Sequence, residues 1–237
     1  MHHTLYKTYH LLFSKIRIFD GLPALIMRLI VAPVMIIAGY NKLNIANDNI
    51  GFPNNLLADQ NVISWFGNEQ WGLGLPFPDV LAFLAGWSEF LGGWLLLIGL
   101  LTRLVSIPLL FTMFIAATSV HWENGWFSVA PSNPQTSAAQ VFNWLGFSAA
   151  QESLNNSEQV AERLDKIKSL VKTHGYPDYL YEKGNVVILN NGIEFSAIYF
   201  AMLLSLLFSS GGRFLSIDYW LKRHFDNRFE NKRKNVS

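Results

Sequence analysis

The chain has 237 residues, of which 51% are hydrophobic and only 15% charged, against the usual quarter. Its 18 Lys and Arg nearly balance 17 Asp and Glu, so the net charge of +1 gives no basis for a nucleic-acid partner. The absence of cysteine excludes disulfide frameworks, dithiol exchange, iron–sulfur ligation and thiolate metal sites.

The first twenty residues contain no unbroken apolar core ahead of a small-residue cleavage site, so no cleavable signal peptide is expected. Leu5, Tyr9, Leu12, Phe13 and Ile16 recur at helical spacing between Lys7, Lys15 and Arg17. That pattern predicts a short helix lying on the cytoplasmic face of a membrane.

Four segments follow whose length and apolarity suit a ~30 Å hydrocarbon core: Leu22–Leu43, Asp79–Leu101, Leu104–Val120 and Ile193–Ser210. Soluble helices rarely stay apolar around their whole circumference. The expected fold is therefore an all-α membrane protein, a four-transmembrane-helix bundle forming one domain over residues 1–237.

Lysine and arginine placement sets the expected topology. Three basic residues precede the first span, none lies in loop 44–78, and seven follow the fourth span. Loop 121–192 carries five, but long loops cross a membrane largely regardless of charge. Both termini are thus expected in the cytoplasm, with loops 44–78 and 121–192 outside. Trp65, Trp71, Trp122 and Trp126 would lie just beyond the outer boundary and Trp220 just past the inner one, as interfacial aromatics do. Thr102–Arg103 would be the tight link between the second and third spans.

The larger outer loop carries a helix pattern. Val160, Leu164, Ile167 and Val171 share a face, with Asn156 and Gln159 as start signals and His174-Gly175 as a stop. Val186–Leu189 followed by Asn190-Asn191-Gly192 reads as an extended piece and a turn. A small extracytoplasmic cap is expected there.

Ionisable groups inside the spans are the most informative residues, because a charge near the bilayer centre costs roughly 2.5–3.5 kcal/mol on insertion scales. Glu89 is at mid-depth by residue count, and Arg28 is near enough in depth to reach it. Arg28, Met35, Gly39 and Lys42 share one helical face; Ala82, Gly86, Glu89 and Gly93 share another; Glu194, Ala197, Ala201 and Ser205 a third. Small residues mark close helix approach, so these groups are expected to face protein. Arg28, Lys42, Glu89, His121 and Glu194 are the candidate pocket residues. Arg28 and Glu89 would form its base, and Lys42, His121 and Glu194 its polar mouth. A structural ion pair and a snorkelling lysine are the competing readings. No metal-ligand spacing, nucleophile–base arrangement or phosphate-binding glycine loop is present, so neither a metal site nor a reaction is assigned.

The runs Ala38-Gly39-Tyr40-Asn41-Lys42-Leu43 and Glu89-Phe90-Leu91-Gly92-Gly93-Trp94…Gly99-Leu100-Leu101-Thr102-Arg103, with Asn191-Gly192-Ile193-Glu194 and Gly211-Gly212-Arg213…Ser216-Ile217-Asp218, resemble the DoxX family of four-helix bacterial inner-membrane proteins. The Trp65–Pro78 and Val120–Trp126 stretches resemble a narrower subgroup associated with operons that make copper-buffering, ribosomally derived peptides. The resemblance implies a role in outline. Some relatives are subunits of quinone-linked oxidoreductases or membrane partners of enzymes handling sulfur and oxidative stress. The leading expectation is an accessory membrane subunit of a redox or stress-response system, with quinone or a lipid-like ligand between its helices. The alternative is a non-catalytic partner that docks a periplasmic protein or peptide, a copper-binding one included, through Trp65, Trp71, Trp122 and Trp126. A small-solute or metal transporter is the third reading. It would require oligomerisation, since four helices are few for a pore.

Overall fold

The computed structural model describes residues 19–234. The expected interfacial helix around Leu5–Ile16 lies outside the described residues. Nine α-helices are described: α1 Leu22–Lys42, α2 Gln60–Gly67, α3 Pro78–Ile98, α4 Thr102–Ile115, α5 Ala139–Trp144, α6 Ser148–His174, α7 Pro177–Leu180, α8 Glu194–Ser209 and α9 Ile217–Lys234. A π-helical turn, Ala116–Val120, prolongs α4. The described residues contain no strand, only isolated antiparallel bridges at Leu43–Ala58 and Val129–Leu189.

Among the described residues three helices are long and apolar enough to cross a membrane: α1, α3, and α4 with its π turn. The apolar α8 is shorter, at 16 residues. The second expected span runs three residues too far at its C-terminal end. Gly99 adopts φ 69°, and its N–H bonds the Leu96 carbonyl at 3.1 Å, a left-handed stop that glycine accepts without steric penalty. The link between α3 and α4 is therefore Gly99–Leu101, and Thr102 already belongs to α4.

The described chain divides into two compact units, one up to Ala116 and from Ser196 onward, the other Ala117–Phe195. In the first unit α1, α3, α4 and α8 share one core of Val31, Met35, Leu96, Leu109, Leu203 and Leu206, all fully buried. Large apolar side chains also face outward, among them Leu29, Ile37, Leu84, Leu91, Leu104 and Phe111. Apolar groups inside and out suit a lipid surround, where small residues rather than hydrophobicity decide which faces meet.

The α1–α3 contact follows that rule. A Cβ on Gly39 would strike the Phe90 backbone nitrogen and come within 2.6 Å of the Gly86 carbonyl oxygen. One on Gly93 would lie 2.9 Å from the Ile36 nitrogen. Both expected faces, Met35–Gly39 and Ala82–Gly86–Gly93, are buried accordingly. Gly39→Ala should therefore force the helices apart and cost about 1–3 kcal/mol, the range for overpacking; the melting midpoint of detergent-solubilised protein checks this.

The third expected face is corrected. The buried residues of α8 are Ser196, Leu203 and Leu206, while Ala201 and Ser205 are exposed. A helix apolar on every side carries no directional pattern from which to read a face.

In the second unit α6 begins at Ser148, eight positions before the start signal at Asn156, and ends at His174, at the expected His174-Gly175 stop. Asn156 is interior to it. Strong helix formers at Ala149, Ala150, Gln151 and Glu152 carry the helix back past that polar pair. Val160 and Leu164 pack with Ala130 and Ile188, and Ala150 and Leu154 with Ala139 and Phe127. Of the expected face, Ile167 is partly exposed. The Asn191 turn is present, with φ 58°.

Candidate functional site

Glu89 stands on the inward face of α3 with 3% of its surface exposed. Its carboxylate pairs with the Lys42 ammonium, contributed by the last residue of α1. The Lys42 side chain keeps 25% of its surface, so access to the pair is from the lysine side. Thr112 of α4, whose hydroxyl donates to the Leu109 carbonyl at 3.0 Å, lies within hydrogen-bonding reach of the carboxylate. Rings gather beside the pair: Phe90 packs 6.2 Å from Tyr40 and 6.0 Å from Trp87. Trp87 Nε1 donates to the Leu56 carbonyl at 2.9 Å, tying the loop that follows α1 to this level of α3.

The expected Arg28–Glu89 pair is not formed. Depth counted along each helix separately placed the two residues together, but the glycine contacts fix a different register. Gly39 meets Gly86 and Phe90, and Gly93 meets Ile36, so Arg28 comes level with the end of α3. There the fully buried Arg28 guanidinium donates to the Leu97 carbonyl at 3.1 Å, the Leu96 carbonyl at 3.5 Å and the Leu215 carbonyl at 2.6 Å. It caps the carbonyl-rich, negative end of the helix and clasps the strand of chain that leads into α9.

Asp218 completes this clasp. Its carboxylate accepts from the Leu101 N–H at 2.7 Å and the Thr102 N–H at 2.9 Å, and its own N–H bonds the Gly99 carbonyl at 2.9 Å. A carboxylate at the start of α4 answers that helix's positive end. The Ser216 hydroxyl donates to the Gly212 carbonyl at 2.6 Å and accepts from the Tyr219 N–H at 3.3 Å. Sequence reasoning assigned Asp218 no role. The signal was an acid in the first turn of a helix, Asp218 directly after Ile217.

The other candidate residues are divided between the two units. Lys42 belongs to the first unit and is engaged with Glu89, whereas His121 and Glu194 belong to the second. His121 Nδ1 lies 2.9 Å from the Asn191 carbonyl oxygen, so Nδ1 is the donor of that contact. Glu194 accepts from the Ser128 N–H at 3.0 Å. Of the tryptophans, Trp65 packs against Phe66 and is half-buried, so it serves the local core. Trp71, Trp122 and Trp126 are exposed.

Residues 24–122 match the DoxX family model. Over this stretch the chain is similar to the DoxX family. No curated protein and no solved structure matches it. The DoxX match holds Arg28, Lys42, Glu89 and His121, together with the Gly99–Leu101 link. Glu194, Trp126 and Asp218 fall outside it. The chain is thus a membrane protein with a DoxX domain built on α1, α3 and α4.

Proposed function

We propose that this protein is an accessory membrane subunit of a redox or stress-response system, holding a quinone or another lipid-like molecule beside the Lys42–Glu89 pair. The carrying observation is a carboxylate buried on the inward face of a membrane helix and matched by one lysine. A proton carrier in hydrocarbon must tolerate both charged and neutral forms. Lys42 stabilises the charged carboxylate, and its partly exposed side chain leaves room for a ligand to approach. A quinone carbonyl takes up one proton with each electron as it is reduced. Glu89 would relay the two protons one at a time, reprotonated from water on the Lys42 side after each, while a companion subunit supplies the two electrons. Tyr40, Phe90 and Trp87 provide flat apolar surfaces for such a ring.

In this reading α8 is the fourth span. Its 16 residues measure about 24 Å at ~1.5 Å per residue, and local bilayer thinning accommodates the shortfall. Seven basic residues from Arg213 onward and none in loop 44–78 support both termini on the cytoplasmic side of a bacterial inner membrane.

The test is retention of quinone by the protein purified in mild detergent. Wild type should carry quinone above the level of the co-extracted lipid, and Glu89→Gln should lose most of it. Wild type at the background level would refute the reading.

A second reading has its own support. The second unit exposes Phe142, Trp144, Leu145 and Phe147 around one turn, and Trp122 and Trp126 elsewhere. Exposed aromatics on that scale mark contact surfaces. They favour docking of a periplasmic protein or peptide, a copper-binding one included. A stoichiometric companion polypeptide without bound quinone would favour this reading over the first.

A further inference from the structure

A cleft of about 530 Å³ opens within the first unit, where the α3–α4 link, the end of α8 and the start of α9 converge. That volume lies within the range of about 300–1,000 Å³ usual for small-molecule sites. Three cations line it, Arg103, Arg213 and Lys222, together with Ser209, Ser210 and Tyr219. The one carboxylate in the lining, Asp218, is already occupied by the Leu101 and Thr102 N–H groups. Three cations against Asp218 in the lining, with Asp20 beside Arg213, leave the cleft with a modest net positive charge.

The cations are placed differently. Arg103 donates to the Phe208 carbonyl at 3.0 Å, which fixes its guanidinium at the wall. Arg213 stacks 4.8 Å over the Phe214 ring and stands 3.8 Å from Asp20, both groups about half exposed. Among the described residues Lys222 forms no ion pair. An arginine fork and a lysine outside any described ion pair, around two hydroxyl groups, suit a tetrahedral anion.

Leu101 and Leu104 complete the lining, and Leu104 opens an exposed stripe along α4 that continues through Ile107, Phe111 and Phe114. The spacing of three and four residues puts these side chains on one lipid-facing track.

The geometry points to a phosphate-binding site, of a size and position that suit the headgroup of an anionic phospholipid whose acyl chain lies along that track. A basic pocket at the end of membrane helices takes such headgroups by charge, with each Lys or Arg strengthening binding about fivefold. The apolar track favours a lipid over a free phosphate ester, because a soluble ligand has no use for it.

The experiment is native mass spectrometry of the full-length protein released from nanodiscs of phosphatidylcholine containing one-fifth phosphatidylglycerol. Wild type should retain phosphatidylglycerol in preference to phosphatidylcholine. Arg213→Gln and Lys222→Gln should each lower that preference about fivefold and together about thirtyfold. Lys222→Arg should keep it, as should Lys166→Gln, an exposed cation of the second unit. Both tested side chains are exposed, so the variants should fold, and an unchanged melting midpoint verifies this. Inorganic phosphate, added separately, distinguishes the sources. Phosphatidylglycerol that resists displacement identifies the lipid headgroup, whereas ready displacement identifies a soluble phosphate as the ligand of the same site. Equal retention of the two lipids by wild type together with no phosphate binding, or an undiminished preference in the double variant, would overturn the proposal.

Discussion

Arg28→Leu is expected to lower stability by at least about 3 kcal/mol, seen as a large fall in the melting midpoint of the solubilised protein or as failure to accumulate in the membrane. The guanidinium has no surface exposed, and it answers carbonyls of Leu96, Leu97 and Leu215. Removing one partner of a buried hydrogen bond leaves the other to bear its desolvation, about 1–3 kcal/mol for each group. Arg28→Lys should recover only part of the loss, because a point ammonium cannot fork toward two separate segments. An Arg28→Leu protein that melts with wild type would show that these carbonyls find other partners.

Glu89→Ala should cost about 3–5 kcal/mol, the usual penalty for leaving one member of a buried pair unmatched. Lys42→Met should cost a similar amount by stranding the carboxylate. The double variant Lys42→Met/Glu89→Met should return close to wild-type stability, since apolar replacements often equal a buried pair. A double-mutant cycle of melting midpoints measures the coupling, and additive losses would mean that the two side chains do not act on each other. The cycle also separates structure from chemistry. If the pair serves a ligand, the double variant stays folded and loses quinone; if it only fixes helix register, quinone retention is untouched.

The membrane character of the chain was readable from long charge-poor segments, and the inward faces of α1 and α3 from Gly39, Gly86 and Gly93. Their small size leaves a clear periodic trace. What did not show was the register between the two helices. It is set by backbone touching backbone at Gly39 and Phe90, a tertiary contact no single-helix pattern contains. Once that register slides Arg28 to the end of α3, Lys42 becomes the partner of Glu89 without any change in either helix. The face of α8 was equally hidden, because Leu203 and Leu206 look no different in sequence from their lipid-facing neighbours. In the loops, the stop at His174 was legible through Gly175, whereas Asn156 misled because a polar pair inside an exposed helix resembles a cap.

The span of the Arg28 clasp bears on how the protein is made. Its guanidinium waits for the Leu215 carbonyl, 187 residues further on. At the usual synthesis rates of about 5–20 residues per second, that is roughly 10–40 s of translation. Through that interval the earlier helix is already emerging with a charge only half accommodated. The nascent chain therefore passes through a stage that is inserted but unlatched, and quality-control machinery or an insertion chaperone can act on it only within that window.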